Sequence, residues 1–479
     1  MELYLDNIGK ICDSTIIVDG LTVVTGGNNS GKTTVGKTLY SIVSAVEDIK
    51  QNAFIDKRDF ARETIRRTLS RIELRRYSKP EYSEIDKNAD ITTDIDSIFD
   101  ITVFRQIESI EGILSIIDEK IKKLNNCSEK DIYEFLEEEE ENPAKNQTRD
   151  KRLVDNFMKE RTEVIKFLDE VKKSIQADSE LIEYTNAKII KTLNTEFYNQ
   201  IKGANNESRE SKIRLYQGNE EYYNIELLDN DLSSKNETFF LPAFDSSLFV
   251  DDVFVIDGLR SLGLISSLFN SSEGEISYES FLNRLPRKHH KDKLRDKLRK
   301  NNNLFEENLY KAKTEEIIKC MKDANPGEIA LVKGKYVIEN LDIRNLAMGS
   351  KMFLIIKTLI EKGHCNSKTL LVLDEPEIHL HPEWQNILAE TIVLLVKHLE
   401  TKVILTTHSP NFLLAIDVFT KIHKMQKITH FYKSTSIDKY KVKLELADEN
   451  TNEIYEKITN PFIELETKID AIEKNDLCE

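Results

Sequence analysis

The feature that most constrains this chain is the glycine-rich segment Gly26-Gly27-Asn28-Asn29-Ser30-Gly31-Lys32-Thr33, which fits the pattern G-x-x-x-x-G-K-[ST]. The stretch LTVVT before it is rich in β-branched residues and predicts a strand. The stretch TTVGKTLYSIVSAVEDI has apolar residues at helical spacing. A strand, a glycine loop and a helix in this order let successive backbone N–H groups surround phosphate oxygens. The sequence therefore predicts an α/β fold built around a phosphate-binding loop, the P-loop.

The residue types of the P-loop suit nucleotide phosphates. Backbone amides from Gly26 to Thr34 would surround the phosphates, and the positive end of the following helix would face them. The Lys32 ammonium would reach the β- and γ-phosphates, and the Thr33 hydroxyl would ligate Mg²⁺. We therefore expect ATP and Mg²⁺ as cofactors. A glycine-rich turn without a ligand is the alternative, and two further motifs argue against it.

Two later apolar runs end in polar side chains. The run LLVLDEP at residues 370–376 predicts a buried strand that delivers Asp374 to the metal, with Glu375 placed to accept a proton from attacking water. The run VILTTHSP predicts a second buried strand, which brings His408 near the γ-phosphate. A polar residue that merely satisfies a strand end is the alternative for His408. Together with Lys32, Glu375 and His408 are the predicted catalytic residues.

The chain from about residue 46 to residue 210 is mostly charged helix. Two apolar stripes recur at helical spacing, namely Ile107, Ile110, Leu114, Ile117, Ile121 and Leu124, and then Val154, Phe157, Val164, Leu168, Val171 and Ile175, with Arg161 at the missing position. The stripes predict an antiparallel helical hairpin, packed either as a coiled coil or as ordinary helices. The acidic stretch from Glu137 to Glu141 predicts a solvated turn between them.

Composition and patterning divide the chain into segments. We predict an N-terminal ATPase lobe with the P-loop (1–45), a helical insertion (46–210), head strands (211–265), a basic helical segment (266–325), a C-terminal ATPase lobe (326–435) and a strand and helix extension (436–479). The basic segment contains Arg284 to Lys300, although the net charge of the chain is −16. Such a run suits either a nucleic acid or an acidic partner, or else a solvated helix with i,i+4 ion pairs.

The order of the P-loop, the long helical insertion, LAMGSK, LLVLDEPEIHLHP and LTTHSP resembles the ABC-type ATPases, in the branch that includes DNA-repair heads and the OLD (overcoming lysogenisation defect) ATPases. The motifs lie within about residues 1–45 and 340–420. The resemblance implies an ABC-type P-loop head, a mixed sheet flanked by helices, with a long helical or coiled-coil insertion. It also implies that a signature segment of Leu346, Ala347, Met348, Gly349 and Ser350 faces nucleotide held by another copy, so that a homodimer or higher homo-oligomer shares its ATP sites.

The sequence departs from this family pattern in two ways. Ala347 stands where the family usually has a serine whose hydroxyl helps to hold the γ-phosphate, which puts the turnover rate in doubt. OLD nucleases carry a C-terminal Toprim domain with a DxD pair, but none of the 69 residues after Pro410 forms one, and we expect no nuclease in this chain. His379 and His381 are implied to contact another subunit rather than to bind zinc. No glutamine is assigned to the Q-loop.

Three functional hypotheses follow from the resemblance. The first is a regulatory or sensor ATPase of a bacterial antiphage defence complex, similar to the ATPase subunits of Septu (PtuA-like) and, less closely, PARIS systems, which holds a separately encoded effector nuclease of HNH or Toprim type. The alternative is a DNA-repair or chromosome-maintenance head that acts on DNA. A transporter subunit is disfavoured because such heads lack so large an insertion. With no apolar stretch of roughly 20 residues and no signal segment, we expect a cytoplasmic protein without membrane contact.

Overall fold

The computed structural model describes residues 1–47, 49, 53, 55–57, 110–138, 147–176, 181–203, 208–218, 220–233, 244–259, 289–299, 313–324, 327–332, 335–339, 341–448 and 451–476. The predicted positions Ile107, Arg284 and Lys300 lie outside these residues. The chain divides into two compact units: unit 1 comprises Met1–Glu47, Thr185–Leu268 and Arg287–Glu479, and unit 2 comprises Asp48–Tyr184 and Phe269–Pro286. Residues 185–210, which were predicted to be part of the insertion, thus belong to unit 1.

Groups of strands and groups of helices follow one another along the chain. The first half contains β1 (Glu2–Asp6), β2 (Ser14–Ile17), β3 (Leu21–Thr25), α1 (Lys32–Val46), α2 (Ile110–Asn126), α3 (Glu129–Glu138), α4 (Gln147–Gln176), α5 (Leu181–Glu196), β4 (Glu210–Gln217), β5 (Glu220–Leu228), β6 (Asp231–Leu232) and β7 (Ser246–Val250). The second half contains a 3₁₀ helix (Val253–Gly258), α6 (His290–Arg299), β8 (Ala330–Val332), β9 (Lys335–Ile338), β10 (Leu341–Asp342), α7 (Met348–Glu361), β11 (Thr369–Asp374), α8 (Pro382–Leu399), β12 (Lys402–Thr407), α9 (Pro410–Ile422), β13 (Thr429–Ser436), β14 (Val442–Leu446) and α10 (Thr451–Asp476).

A six-stranded sheet forms the centre of unit 1, with the order β14-β13-β3-β12-β11-β7. The strands β13, β3, β12, β11 and β7 pair in parallel, whereas β14 pairs antiparallel to β13. The sheet is therefore mixed, as predicted. Its inner strands are apolar and buried along nearly their whole length, which is expected of parallel strands covered on both faces.

The two faces of this sheet bury two separate cores. Because successive side chains of a strand point to opposite faces, Val23 and Leu405 pack into one core, while Val24 and Ile404 pack into the other. The first core is completed by α7, α8 and α9, and the second by α1. Layers of helix on both faces hold the parallel strands in fixed register, so that the loops after the strands keep a fixed position.

Two smaller sheets complete unit 1. The five-stranded antiparallel sheet β2-β1-β4-β5-β6 adds Leu3, Leu5 and Ile213 to the core that α1 lines. Its strands show the alternation of buried and less buried residues that is typical of a sheet with one covered face. The third sheet is a three-stranded antiparallel one, β10-β9-β8, and its last strand leads into α7 through a short 3₁₀ turn.

Unit 2 contains an antiparallel helix pair. The Lys172 ammonium lies 2.5 Å from Asp118 Oδ1, and the Arg161 guanidinium donates a 2.7 Å hydrogen bond to the Cys127 carbonyl, so α2 and α4 run in opposite directions. Most of the second predicted stripe is buried on α4, namely Val154, Phe157, Val164, Leu168 and Val171. Of the first stripe, Ile117 and Leu124 are buried on α2, whereas Leu114 and Ile121 are half-buried. Arg161 takes the missing apolar position because its head group pairs with a backbone oxygen where α2 ends. A coiled coil stays a prediction.

The connection between α2 and α4 differs from the solvated turn that the acidic run predicted. A third helix, α3, occupies part of it and continues through Glu137 to Glu138. Its sequence begins with Ser128 as an N-terminal cap, which exchanges hydrogen bonds with Asp131. The first two residues of the acidic stretch, Glu137 and Glu138, are therefore the last residues of a helix, and residues 139–146 lie outside the described residues.

Among the described residues, no helix combines the length and the apolar character needed to cross a bilayer.

Candidate nucleotide-binding site

The predicted site residues come together at one edge of the central sheet. The P-loop follows β3, Asp374 ends β11, and His408 follows β12, and these three strands are adjacent and parallel. The carboxyl ends of parallel strands meet at the same edge, which is where α/β sheets bind ligands. Residues separated by more than 300 positions along the chain therefore meet in one place, beginning with a 2.8 Å contact between Thr33 and Asp374.

The backbone of the P-loop requires its small residues. Gly31 adopts a φ of 81° directly before α1, and Asn29 has a φ of 60°, both in the left-handed region. A Cβ atom at Gly26 would lie 1.8 Å from Ser434 Oγ and 2.8 Å from Ser30 Oγ, so no side chain fits there. The loop is thus shaped by glycine where the chain turns and where β13 approaches it.

Lys32 is the first residue of α1, and its ammonium group points back into the loop. It donates hydrogen bonds to the carbonyls of Gly26 at 3.0 Å and Gly27 at 2.9 Å, and it lies 3.2 Å from Glu375 Oε1. The side chain is 5% exposed, so the charge is almost wholly enclosed by these oxygens. Phosphate oxygens would offer the same ammonium stronger, charged partners.

Thr33, Asp374 and Thr406 form a hydrogen-bonded group beside Lys32. The Thr33 hydroxyl lies 3.0 and 2.8 Å from the two carboxylate oxygens of Asp374, and the Thr406 hydroxyl lies 2.5 Å from Oδ1. Burial raises the pKa of Asp374, while hydrogen bonds from Thr406 and Thr33 act to lower it. A divalent cation would favour the ionised form of the Asp374 carboxyl. The oxygens of the Thr33 hydroxyl and of this carboxylate are ligands that suit a hard cation such as Mg²⁺.

Glu375 lies between Lys32 and His408. Its backbone has a φ of 48°, an uncommon conformation for a residue other than glycine, and hydrogen bonds from its N–H to Thr406 hold it there. The carboxylate is 3.1 Å from His408 Nδ1 as well as 3.2 Å from Lys32. His408 is 43% exposed, so it lies where the site opens to solvent. This arrangement leaves Glu375 able to accept a proton from a water molecule that enters the site.

The described residues fit a nucleotide phosphate chain with Mg²⁺. The hydroxyl of Ser30 is buried inside the P-loop without a hydrogen-bond partner, in a position where the loop would surround a phosphate. Backbone amides of Gly27 to Thr34 and the Lys32 ammonium are suitable donors for phosphate, whereas Thr33 and Asp374 are suitable groups for Mg²⁺. Asn28 is exposed at the tip of the loop.

The signature segment lies at the start of α7. Ala347 is the N-cap residue, and because its methyl group cannot accept a hydrogen bond, the first turn of the helix has no side-chain cap. Met348 is exposed, Gly349 packs closely against Trp384, and Leu346 and Ser350 are half-buried. Among the described residues, the structure defines no hydrogen bond or ion pair between the P-loop and the segment from Leu346 to Ser350.

The buried Lys351 side chain connects the first turn of α7 to neighbouring residues. Its ammonium lies 2.7 and 2.9 Å from the two carboxylate oxygens of Asp257 and donates a 3.1 Å hydrogen bond to the Arg344 carbonyl. The lysine is 2% exposed and Asp257 is 28% exposed. The sequence indicated Lys351 only as the end of the signature segment, whereas the structure shows that it fixes the direction in which the helix N-terminus points.

The structure adds two residues that sequence reasoning missed. Glu377 is 1% exposed; it accepts a 2.5 Å hydrogen bond from Thr407, the residue before His408, and its Oε2 has no hydrogen-bond partner. Burial raises the pKa of this carboxyl. Asp251 follows β7 directly, and since Val250 pairs with Leu373, Asp251 comes next to Asp374 at the sheet edge. The run SSLFVDD carried the same signal as LLVLDE, an apolar strand ending in two acids, and could have identified it.

The basic segment is internally neutralised where the structure describes it. Every lysine and arginine of α6 has an acidic partner within 4.0 Å: Lys291 pairs with Asp252, Lys293 and Lys297 with Glu47, Arg295 with Asp292, and Arg299 with Asp296. Two of these pairs are formed within the helix, at i,i+3 spacing rather than at the i,i+4 spacing that the sequence suggested for a solvated helix. The other cations hold α6 against the body of unit 1.

Comparison with known families agrees with this geometry. The chain matches the family model described as AAA ATPase domain over residues 1–413, which is most of its 479 residues. No curated protein matches the chain.

Proposed function

The chain belongs to the AAA ATPase domain family, and from this premise we propose that it is an ATP-driven regulatory subunit of an antiphage defence complex. In this proposal two copies close on shared ATP and thereby control a separately encoded effector nuclease of HNH or Toprim type. ATP binding and hydrolysis are the activity of the family. The shared site, the effector and the defence role are the proposed refinements.

The single observation that supports the shared site is that the P-loop site and the start of α7, the segment proposed to face nucleotide, have no contact that the structure defines within the described residues. The P-loop, Asp374, Glu375 and His408 form one continuous site. The uncapped N-terminus of α7 offers free backbone N–H groups and a positive dipole end, yet the structure defines no hydrogen bond between it and the P-loop. A phosphate bound in the P-loop of a second copy would satisfy these N–H groups.

Hydrolysis in such a site requires little of the protein beyond position and charge. Lys32 and the loop amides hold the phosphates and stabilise the charge that develops on them. Glu375, held by Lys32 and His408, accepts the proton of the attacking water. Mg²⁺ would supply charge neutralisation beside Thr33 and Asp374.

Two observations favour a protein partner over direct DNA binding. The cations of α6 that the sequence offered for nucleic acid are engaged by acidic residues of the same unit. The net charge of the chain is −16, which opposes an extended phosphate backbone.

Sedimentation velocity tests the shared site. Glu375→Gln should bind ATP without consuming it, so we expect a shift from monomer to dimer on addition of ATP and Mg²⁺ but not of ADP. Replacing Ser350 by Glu in the same background places a negative charge where the phosphates would approach, and should abolish the shift. If the Glu375→Gln protein sediments identically with and without ATP across the micromolar range, the shared site is wrong.

Copurification tests the effector. The product of the adjacent reading frame, if it is an HNH or Toprim nuclease, should co-elute with this chain, and the nucleotide state should change its cleavage of DNA. In cells that carry both genes, Lys32→Ala should remove protection against phage while leaving both proteins present at normal levels. Protection that survives Lys32→Ala, or a failure to co-elute under every nucleotide condition, would refute the regulatory role and leave the ATPase activity unaffected.

A further inference from the structure

A second group of ligand-type side chains lies in unit 1, outside the P-loop site. Glu196 ends α5, Asp251 follows β7, and His289 and His290 begin α6. Within the described part of the chain, Glu196, His289 and His290 are the one set of histidine, cysteine and acidic residues whose potential ligand atoms all lie within 4.8 Å of one another. No local sequence motif associates them, because 94 positions separate Glu196 from His290.

The four side chains converge on a small volume. Glu196 Oε2 lies 2.5 Å from His290 Nδ1 and 3.6 Å from His289 Nε2. On the other side of the His290 ring, Nε2 lies 2.9 Å from Asp251 Oδ1. Glu196 Oε1 accepts a 2.9 Å hydrogen bond from the His290 backbone N–H, which fixes the carboxylate and leaves Oε2 directed at both imidazoles.

Burial shows that this group is not a solvated surface cluster. Glu196 is fully buried, His290 is 1% exposed, and His289 is 22% exposed. The rings of Phe249 and Tyr40 lie 4.5 and 6.0 Å from the His290 ring and exclude water from it. The Asp251 contact is that of an ion pair rather than of an aligned hydrogen bond, and His290 Nε2 remains without a hydrogen-bond partner. The buried Glu196 carboxylate therefore requires a counter-charge, which either a protonated His290 or a bound cation would supply.

We propose that Glu196, His289 and His290 bind one divalent transition-metal ion of the zinc class, with Asp251 as the outer carboxylate that orients His290. Two imidazole nitrogens and one carboxylate oxygen form a donor set that suits Zn²⁺ and leaves a further coordination position for water. An imidazole that ligates a metal through one nitrogen commonly offers the other to a carboxylate, which is the relation of His290 to Asp251. The 3.6 Å between His289 and Glu196 suits two ligands of one tetrahedral ion, whereas the 2.5 Å contact must lengthen.

A proton is the competing occupant. Burial acts to lower the pKa of His290, but its contacts with Asp251 and Glu196 outweigh burial and raise it. Binding of Zn²⁺ would therefore displace the proton shared by His290 and the two carboxylates. The distinction between the two occupants is experimental.

Metal titration of the full chain without an affinity tag is the test. After removal of metal with EDTA, the protein should bind one Zn²⁺ per chain by calorimetry and elemental analysis. Co²⁺ in place of Zn²⁺ should give the strong visible absorption of a tetrahedral site. His289→Gln should weaken Zn²⁺ binding by more than about 100-fold, the upper limit expected for loss of an outer-sphere partner alone. Its side chain is 22% exposed, so it can be replaced without opening the core.

Matched controls separate this site from other histidines and from the P-loop site. His423→Gln removes a histidine that also pairs with a glutamate, Glu390, at 3.3 Å, but that has no second histidine beside it, and this variant should bind Zn²⁺ normally. Asp374→Asn should also bind normally if the ion does not occupy the Mg²⁺ position. Glu196→Gln keeps the hydrogen bond to the His290 backbone and should lose tight binding.

Two results would overturn the proposal. The first is wild-type protein that takes up no stoichiometric Zn²⁺, in which case the cluster is a proton-bridged ion pair. The second is Zn²⁺ affinity that is equal in wild type and His289→Gln, in which case the ion binds elsewhere. Because His289→Gln retains the buried residues, its result decides the question even if Glu196→Gln does not fold.

Discussion

The P-loop half and the signature half of the proposed shared ATP site differ in how far the chain satisfies its own polar groups. In the P-loop half, the Lys32 ammonium has three oxygen partners and the Thr33 hydroxyl has the Asp374 carboxylate, all within one chain. In the signature half, α7 starts at an uncapped Ala347, and its first N–H groups have no side-chain acceptor.

Because of this difference, we expect the two halves to contribute to nucleotide binding in different ways. A preformed group of donors can bind phosphate in a single chain, whereas donors at an exposed helix start contribute only when another molecule brings phosphate to them. The P-loop half should therefore determine affinity, and the signature half should determine assembly. The following substitutions separate the two halves, beginning with the largest expected effect.

Glu375→Gln should separate chemistry from binding within the P-loop half. Loss of the general base is expected to lower ATP hydrolysis by about 10²- to 10⁴-fold, while the neutral amide keeps the shape of the side chain. Phosphate release measures the first effect, and equilibrium binding of a fluorescent ATP analogue measures the second. Glu383→Gln, at an exposed position on α8, is the control and should hydrolyse ATP normally. Hydrolysis within twofold of wild type in Glu375→Gln would mean that another group activates the water.

Lys32→Ala should remove affinity from the P-loop half. A hydrogen bond to a charged group contributes about 1.5 to 3 kcal/mol, so we expect ATP to bind about 10- to 100-fold more weakly. Calorimetric titration measures the change. Lys37→Ala removes an equal charge later on the same helix, and should have little effect. A Lys32→Ala protein that binds ATP as tightly as wild type would show that the loop amides alone determine affinity.

Lys351→Met tests whether the signature half depends on its internal support. The substitution leaves Asp257 and the Arg344 carbonyl without their buried partner, and we expect the free energy of unfolding to fall by about 1 to 3 kcal/mol, since Asp257 is partly solvated. Chemical denaturation gives this value. Nucleotide affinity of the monomer should not change, because the P-loop half does not contain Lys351. A parallel loss of monomer ATP affinity would show that the two halves are coupled within one chain.

Ala347→Ser adds the hydroxyl that the signature half lacks. Its extended backbone, with φ −59° and ψ 147°, suits a serine cap, and we expect about 1 kcal/mol of added stability without nucleotide. If the hydroxyl also reaches phosphate across a dimer, ATP-dependent association should strengthen as well. Thermal unfolding and sedimentation measure the two effects, and Ala347→Gly, which lacks a hydroxyl, is the control. Added stability without stronger association would mean that the serine is only a helix cap.

Glu377→Gln should change how stability varies with pH in the P-loop half. Burial raises the folded-state pKa of Glu377 above its ordinary value near 4.5, so the folded state binds this proton more tightly than the unfolded state. This contribution to stability is complete below about 4.5 and is lost as the pH rises through the folded-state pKa. The glutamine variant cannot titrate, so its unfolding free energy should fall less over that range. Parallel curves for the two proteins would contradict the raised pKa.

Much of the P-loop half could be predicted from the sequence, because its residues are consecutive or end recognisable strands. Gly26 to Thr33 form one motif, and the apolar runs before Asp374 and His408 identify parallel strands whose ends must meet. The same reasoning overlooked Asp251, which also ends a parallel strand, because no second motif directed attention to it. The boundaries of the insertion depended on composition, which does not indicate that residues 185–210 belong to unit 1.

The positions of the phosphate-binding loop and of the carboxylates at the strand ends follow from the sequence alone, since local spacing and strand polarity suffice to place them. The ion-pair partners of the charged side chains follow from the three-dimensional fold. It paired every α6 cation with an acidic residue, and it brought Glu196 to His289 and His290. Charge interactions depend on distance and burial rather than on order along the chain, and a run of lysines has the same letters whether its partners are phosphates or carboxylates of its own fold.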